Sequence, residues 1–125
     1  MTEPAPPGSP QPAEIRVRRA SAQLEVDFDD GTQALLPAEY LRVESPSAEV
    51  QGHSPNERKL VSGKRAVNIT AVEPVGNYAI RIRFTDGHDS GIFSWSLLRQ
   101  LGQEQPERWR AYLDALAAAG RNRDR

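Results

Sequence analysis

The sequence has no cysteine, few aromatic residues and almost no net charge. The lack of cysteine excludes disulfides, thiolate nucleophiles and thiolate-based metal sites, and it agrees with a reducing compartment. A formal net charge of -1 offers no overall positive field for a nucleic-acid backbone or an anionic membrane. No apolar run approaches the length of a membrane span, and the first residues lack the features of a secretory signal. We therefore expect a cytoplasmic protein with no membrane partner and no cofactor, for which nucleic acid is an unlikely partner.

Proline is concentrated at the N-terminus, where half of the ten prolines lie within the first twelve residues. Little apolar surface is available there to offset the entropy of ordering the chain. The rest of the 125 residues suffices for one modest hydrophobic core. The sequence thus predicts a disordered proline-rich tail over 1–13, one domain over 14–119 and a flexible charged tail over 120–125.

The first ordered pattern is that of half-buried strands followed by a short helix. Residues 14–18 and 23–28 alternate between apolar and polar positions, which is typical of strands with one buried face. Asp30-Gly31 suits a tight hairpin turn, and residues 32–36 return as a third strand. Proline then opens a predicted short helix over 37–42.

The second half repeats this order. Residues 80–84 alternate, Asp86-Gly87 turns, residues 91–93 return, and Ser94 is suited to cap a helix that carries three leucines. At one constant offset the matched pairs are Leu24 with Ile80, Val26 with Ile82, Phe28 with Phe84, Leu36 with Ile92 and Leu41 with Leu97. The match predicts two strand–turn–strand–helix units.

Further strands are expected over 58–62 and 67–72, and a C-terminal helix over 106–119, on which Trp109, Leu113 and Leu116 share one face. The short connections favour antiparallel pairing. We therefore predict a small α+β domain with a mostly antiparallel sheet. Its expected core residues are Phe28, Ile82, Phe84, Trp95 and Trp109.

No catalytic motif is evident. The only two histidines are followed two positions later by Pro55 and Ser90, so neither begins the histidine–carboxylate pair of a non-haem iron site. The glycines are scattered and form no phosphate-binding loop. The basic cluster of Arg58, Lys59, Lys64 and Arg65 lacks interleaved aromatic residues, so it is a weak signal for RNA or an acidic partner.

One enzymatic alternative stays open at this stage. His53, His88, Asp86 and Asp89 supply two imidazoles and two carboxylates, which could serve a small enzyme or ligand-binding protein if they met at one cleft. Aspartates beside Asp-Gly turns are more often explained by the turn itself. The distance between these side chains decides between the two interpretations.

Three motifs carry a resemblance to a known family. They are residues 40–53 (YLRVESPSAEVQGH), 72–78 (VEPVGNY) and 86–95 (DGHDSGIFSW). Together they resemble the gamma-butyrobetaine hydroxylase-like N-terminal domain, also called DUF971, over residues 15–102. In the hydroxylases this domain precedes an iron- and 2-oxoglutarate-dependent catalytic domain, and similar domains accompany P-loop ATPases with iron–sulfur clusters. The chain looks like the stand-alone bacterial form.

The resemblance also implies the position of a structural zinc site. The family's three cysteines and one histidine correspond to Ser45, Ser47, Val50 and His88. Hydroxyl and isopropyl groups do not replace thiolates around structural zinc, so we expect no metal and interpret His88 as a turn or surface residue. We further expect the loop that holds these positions to lie near the Asp86-Gly87-His88 turn.

The leading hypothesis is a non-enzymatic protein-interaction or accessory module with an unidentified protein partner. Its candidate contact surface is the loop over 45–56 with His53, beside Tyr40 and Arg42 and the basic residues Arg58 and Lys59. Homo-oligomerisation is left open by the sequence.

Overall fold

The computed structural model describes residues 11–46 and 60–124, which fold as two successive units of three strands and a helix, followed by a last helix. The first unit comprises β1 (Pro12–Arg18), β2 (Gln23–Phe28), β3 (Gln33–Pro37) and α1 (Ala38–Val43). The second comprises β4 (Ile69–Val75), β5 (Ala79–Phe84), β6 (Gly91–Ser94) and α2 (Trp95–Gln103). Helix α3 (Gln105–Ala118) follows. The predicted α+β class is confirmed, with the antiparallel strands divided between two sheets.

Each sheet of the described chain is a three-stranded antiparallel meander, in the orders β1-β2-β3 and β4-β5-β6. The repeat is therefore longer than the sequence indicated, because β1 and β4 belong to it as well. Gly31 and Gly87 take φ angles of +88° and +90° in the two hairpin turns, a conformation in which glycine has no steric penalty. The Asp-Gly pairs thus act as predicted.

The constant offset between the two units holds only as far as the hairpin turn. Leu24 pairs with Leu36, twelve residues on, whereas Ile80 pairs with Phe93, thirteen residues on. Leu36 therefore corresponds to Phe93, and its predicted match with Ile92 is wrong. Because the turn of the second hairpin is one residue longer, Phe93 faces the core with 0% exposure while Ile92 is 38% exposed.

One core joins both units. Phe28, Ile82 and Phe84 are buried in it as predicted, together with leucines of the first sheet and of helices α1 and α2 and isoleucines of the second sheet. Trp95 and Trp109 are only partly buried at its edge, and the Trp95 Nε1–H group donates a hydrogen bond to the Asn77 carbonyl. The indole N–H needs a polar partner, which keeps the ring near the surface.

Helix α3 buries Tyr112 in place of Leu113, which its apolar pattern had indicated. Tyr112 and Leu116 are buried, whereas Leu113 is 39% exposed. Tyr112 lies one turn after Trp109, and its hydroxyl donates to the Val61 carbonyl at 2.9 Å. This bond satisfies the phenol and lets the ring take the buried position.

The boundaries of the domain lie further out than expected. Strand β1 begins at Pro12, and the Gln11 carbonyl accepts from the Asp29 amide at 2.8 Å. At the other end, in contrast to the predicted flexible tail, the Arg123 guanidinium donates to both carboxylate oxygens of Glu39 and lies over the Trp109 ring. A buried Glu39 needs such a counter-charge.

The strand predicted over 58–62 is absent from its described part, residues 60–62, and β4 begins at Ile69 rather than at residue 67. Residues 60 and 61 instead supply carbonyls to side chains, with the Leu60 carbonyl accepting from Arg121 at 2.9 Å. This segment therefore packs along α3 as irregular chain.

Candidate functional site

The candidate site lies where the end of the first helix meets the second hairpin. Helix α1 is buried over all six of its residues, and the chain leaves it at Glu44 and Ser45. A helix buried on every side cannot present a surface and instead positions its ends. Its C-terminal end faces the turn that follows β5.

The turn itself is organised by the carboxylate of Asp86. Its Oδ1 accepts the His88 amide at 3.1 Å, and the Phe84 amide donates to the His88 carbonyl at 2.9 Å. These bonds are typical of an Asx turn that continues a hairpin. They direct the His88 ring inward, against the Phe84 ring at a centroid distance of 6.0 Å.

Ser45 and His88 form a buried hydrogen-bonded pair. The Ser45 Oγ lies 2.9 Å from the His88 Nε2, and the two residues are 0% and 8% exposed. His88 is predicted to be a turn or surface residue; it lies in the turn, but it is not at the surface, because the Asx turn points its ring toward the serine. Position 45 therefore lies at the histidine turn, whereas positions 47 and 50 are outside the described residues and their approach to the turn stays a prediction.

Gly91 makes this approach feasible. A Cβ atom at Gly91 would collide with the Ser45 Oγ and would also lie 3.2 Å from the Phe93 ring. In the first unit, Ala34 is the counterpart of Gly91. Gly102 of α2 packs against Ala34, and a Cβ atom at Gly102 would lie 2.9 Å from the Ala34 Cβ. Each helix end thus packs on the hairpin of the other unit.

Arg42 and Lys64 neutralise the same carboxylate oxygen. The Arg42 Nε and the Lys64 Nζ donate to the Asp86 Oδ2 at 2.8 and 2.7 Å. Burial alone would raise the pKa of Asp86, but hydrogen bonds from Lys64, Arg42 and the His88 amide lower it to about 2. Asp86 is therefore ionised at neutral pH and too weak a base to accept a proton there.

The first hairpin carries an equivalent contact that sequence reasoning missed. Arg99 of α2 donates from Nη1 and Nη2 to the two carboxylate oxygens of Asp30, at 3.3 and 3.0 Å, and from Nη1 to the Thr32 hydroxyl. Its guanidinium also lies 5.1 Å from the Phe28 ring centroid. Arg42 and Arg99 occupy matching places only when the one-residue longer turn of the second hairpin is taken into account, so the constant offset in the sequence did not reveal this contact.

Of the other predicted site residues, the structure describes Tyr40 and Arg42, and both are buried. Tyr40 is 1% exposed, and its hydroxyl donates to the Leu101 carbonyl at 2.7 Å, so it cannot belong to a contact surface. Burial raises the pKa of Tyr40 above its usual range. Ser47, Val50, His53, Arg58 and Lys59 lie outside the described residues.

Asp89 does not lie with Asp86 and His88, as the enzymatic alternative requires of its second carboxylate. Asp89 is directed away from the buried pair and lies 3.4 Å from the Arg83 Nη1, with its side chain 60% exposed. Within the described ranges, no group of three histidine, aspartate or glutamate side chains is arranged to hold a metal ion. No helix in that part of the chain is long and apolar enough to cross a membrane.

A shallow hollow of about 450 Å³ lies beside the end of α1. Apolar atoms of Val43, Leu60, Val61 and Tyr112 and two alanines of α3 line it, and Glu44 and Arg108 form its polar rim. The Arg108 Nη1 donates to the Glu44 Oε1 at 2.9 Å. This hollow adjoins the beginning of the predicted contact loop over 45–56.

A family model described as "gamma-butyrobetaine hydroxylase-like, N-terminal" matches residues 15–99 of the chain. No curated protein is significantly similar to it. Several solved structures are. A crystal structure of a protein of unknown function of the DUF971 family, from Acidithiobacillus ferrooxidans, has 43% identity and a TM-score of 0.63 and covers 74% of this chain and 92% of its own.

Two solution NMR structures match over more of the chain. One has 45% identity and a TM-score of 0.80 and covers 94% of this chain and 92% of its own. The other has 44% identity and a TM-score of 0.81 and covers 98% of this chain and 91% of its own. The fold described above is therefore shared by these relatives.

Proposed function

The chain belongs to the gamma-butyrobetaine hydroxylase-like, N-terminal family, and from this premise we propose that it is a non-enzymatic accessory module that acts by binding another protein. The observation that carries the proposal is that the only acid and base of its polar cluster, Asp86 and His88, are both held by internal hydrogen bonds within the described chain. Asp86 is held by Arg42 and Lys64, and His88 is buried against Ser45. An acid–base catalyst needs groups that exchange protons with a substrate, and these groups are committed to internal bonds.

The residues at the family's zinc position do not fit that metal. A structural zinc site takes four thiolate or imidazole ligands, and Ser45 offers a neutral hydroxyl to the His88 imidazole. We propose that the Ser45–His88 hydrogen bond replaces the metal in joining the helix end to the turn. On this proposal the fold is kept and the cofactor is not needed.

The apolar hollow supports a protein partner. Its lining is apolar, its rim carries one charge of each sign, and it lies next to the predicted contact loop. A partner that inserts an apolar side chain there would bury part of this apolar lining. Of the residues predicted for contact, Arg58 and Lys59 remain part of the proposed contact surface. Tyr40 and Arg42 are excluded from it because they are buried.

Affinity capture from the native host tests the proposal with matched variants. Ala115→Arg places a long charged side chain in the hollow, and Ala118→Arg places the same group on α3 outside the hollow lining. We expect the wild type and Ala118→Arg to retain the same partner and Ala115→Arg and the Arg58→Ala/Lys59→Ala double variant to lose it. Equal retention by all four proteins, or no specific partner, would contradict the proposal.

A further inference from the structure

Arg42 holds a buried hydrogen-bond donor that is not satisfied. Within the described chain, its Nη1 atom is inaccessible to solvent and has no hydrogen-bond partner, although its Nε is bound to Asp86. The whole side chain is only 10% exposed. A charged donor that is desolvated without an acceptor costs more than a neutral one, so this group needs an explanation.

The equivalent arginine shows what a satisfied arrangement looks like in the same fold. Arg99 uses Nη1 and Nη2 on the carboxylate of Asp30 and on the Thr32 hydroxyl. At the place that corresponds to Thr32, the second unit has His88, whose ring is directed to Ser45 instead. Arg42 therefore lacks the hydroxyl and the second carboxylate oxygen that Arg99 binds.

A second cation lies at the same place. The Lys64 Nζ shares the Asp86 Oδ2 with Arg42, and the Lys64 side chain is 21% exposed. The described groups of this cluster, two cations and one carboxylate, sum to one positive charge. The unsatisfied donor and the surplus charge thus coincide. Because the Arg42 Nη1 is buried, the partly exposed Lys64 side chain has to move aside to admit a ligand to it.

We propose that Arg42 and Lys64 form a binding site for a carboxylate anion. One oxygen of the anion accepts from the Arg42 Nη1 and the other from the Lys64 Nζ, while Asp86 holds both cations in place. A carboxylate fits better than a phosphate because it carries a single negative charge and two acceptor oxygens, which match the surplus charge and the two donors. The nearby Asp86 would repel a dianion. This site is independent of the apolar hollow and of the protein partner proposed above.

NMR titration of the full chain with sodium acetate, at constant ionic strength made up with sodium chloride, tests the site. We expect saturable shifts of the Arg42 side-chain Nε–Hε signal and of the Lys64 and His88 amides, with a Kd on the order of millimolar for so small a ligand. Arg42→Gln should weaken binding at least about tenfold, since it removes a charged donor. Arg99→Gln is the matched control and should leave the Kd within about twofold of wild type.

Lys64→Met keeps the test valid if Arg42→Gln does not fold, because Lys64 is partly exposed and its loss leaves the Arg42–Asp86 pair intact. We expect the Kd to be at least about fivefold weaker, which corresponds to about 1 kcal/mol. Shifts that grow linearly with acetate, or that persist unchanged in Lys64→Met, would overturn the proposal.

Trialanine with a free C-terminus, and its C-terminal amide, separate the two sources of such a carboxylate. If the free acid binds more tightly than acetate, the site recognises the free C-terminus of a peptide; if it binds more weakly, the ligand is a small-molecule acid. Both results support the site. Equal binding of the amide would refute it, because an amide carries no negative charge.

Discussion

At the scale of single residues, the absence of one side chain decides how closely the two units approach. Gly91 leaves room for the Ser45 hydroxyl, and the resulting Ser45–His88 bond joins the end of α1 to the second hairpin. The same place in the first unit is an alanine, which faces a glycine of α2 instead. In one contact the glycine lies on the hairpin, and in the other it lies on the helix. In both contacts the missing side chain lets helix and hairpin approach closely.

We predict that Gly91→Ala destabilises the protein by about 1–3 kcal/mol, because the added methyl group displaces the Ser45 hydroxyl from His88. Chemical denaturation of the single variants and of Gly91→Ala/Ser45→Ala measures the coupling. The cost of the Gly91 change should be smaller in the Ser45→Ala background, where the colliding oxygen is gone. Equal costs in both backgrounds would show that the serine does not limit the packing.

Asp86 should make the stability depend on pH in acid. Its pKa is lowered to about 2 in the folded state, so it stabilises the fold above the unfolded pKa of about 3.9. That contribution, on the order of 2 kcal/mol, is lost as the pH falls from about 4 to about 2. Asp86→Asn should therefore be less stable than wild type at pH 7, with the difference vanishing near pH 2.

Asp89→Asn provides the control for this pH dependence. The Asp89 side chain is 60% exposed in its contact with Arg83, so its removal should change stability by less than about 0.5 kcal/mol. Urea denaturation at pH 7, 4 and 2.5 measures all three proteins. A constant difference between wild type and Asp86→Asn at every pH would show that its charge does not stabilise the fold.

The zinc position should be restorable. Ser45 already lies 2.9 Å from His88, so changing Ser45, Ser47 and Val50 to cysteine should create a site with three thiolates and one imidazole. We expect the triple variant to bind about one zinc per chain and to unfold at a higher temperature when zinc is present. Metal analysis and thermal denaturation under reducing conditions measure this.

The wild type is the control for this zinc experiment, and it should contain no stoichiometric zinc and gain no stability from added metal. Failure of the triple variant to bind zinc would mean that Ser47 and Val50 do not correspond to the family's second and third ligand positions. The Ser45–His88 contact would stand in either case, because it does not depend on that alignment.

At the scale of elements, strand β1 depends on residues that were expected to belong to the tail. Gln11 exchanges hydrogen bonds with Asp29, and Pro12 is paired with Phe28. Deletion of residues 1–13 should therefore lower the free energy of unfolding by about 1–2 kcal/mol, through the loss of these bonds at the edge of the first sheet.

Deletion of residues 1–10 is the matched control, because it keeps Gln11 and Pro12 and should leave the unfolding midpoint nearly unchanged. Both deletions can be compared by urea denaturation. If the longer deletion is as stable as the shorter one, the contact between Gln11 and Asp29 contributes nothing to the fold.

At the scale of the whole molecule, the two units share one core and should unfold together. Phe28 and Phe84 are equivalent residues of the two sheets, 4% and 3% exposed, and both belong to the same buried cluster. Truncation of Phe84 to alanine should cost about 3–5 kcal/mol, and truncation of Phe28 a similar amount. Each variant should show one transition, with the same midpoint by tryptophan fluorescence and by far-ultraviolet circular dichroism.

Leu35→Ala is a control for this truncation, because Leu35 is 46% exposed and should cost less than about 1 kcal/mol. Separate midpoints for the two probes would indicate that the units are independent. A loss below about 1 kcal/mol for Phe84 would mean that the ring is not part of the shared core.

Much of the local structure was determined by the sequence alone. Alternating apolar residues identified β2 and β5, Asp-Gly pairs identified their turns, and the match between the two segments identified the repeat. These features depend on neighbouring residues, because strand alternation and turn conformation are set by local backbone geometry. The family's motifs also placed position 45 near His88.

The tertiary structure decided which distant side chains meet. Arg42 and Asp86 are 44 residues apart, and Arg99 and Asp30 are 69 apart. Tyr40 faces Leu101 and not solvent because of the way the helix of one unit packs on the other. Phe93 faces the core in place of Ile92 because the turn before it has one extra residue. Contacts of this kind follow from the packing of complete elements, and no local pattern in the chain encodes them.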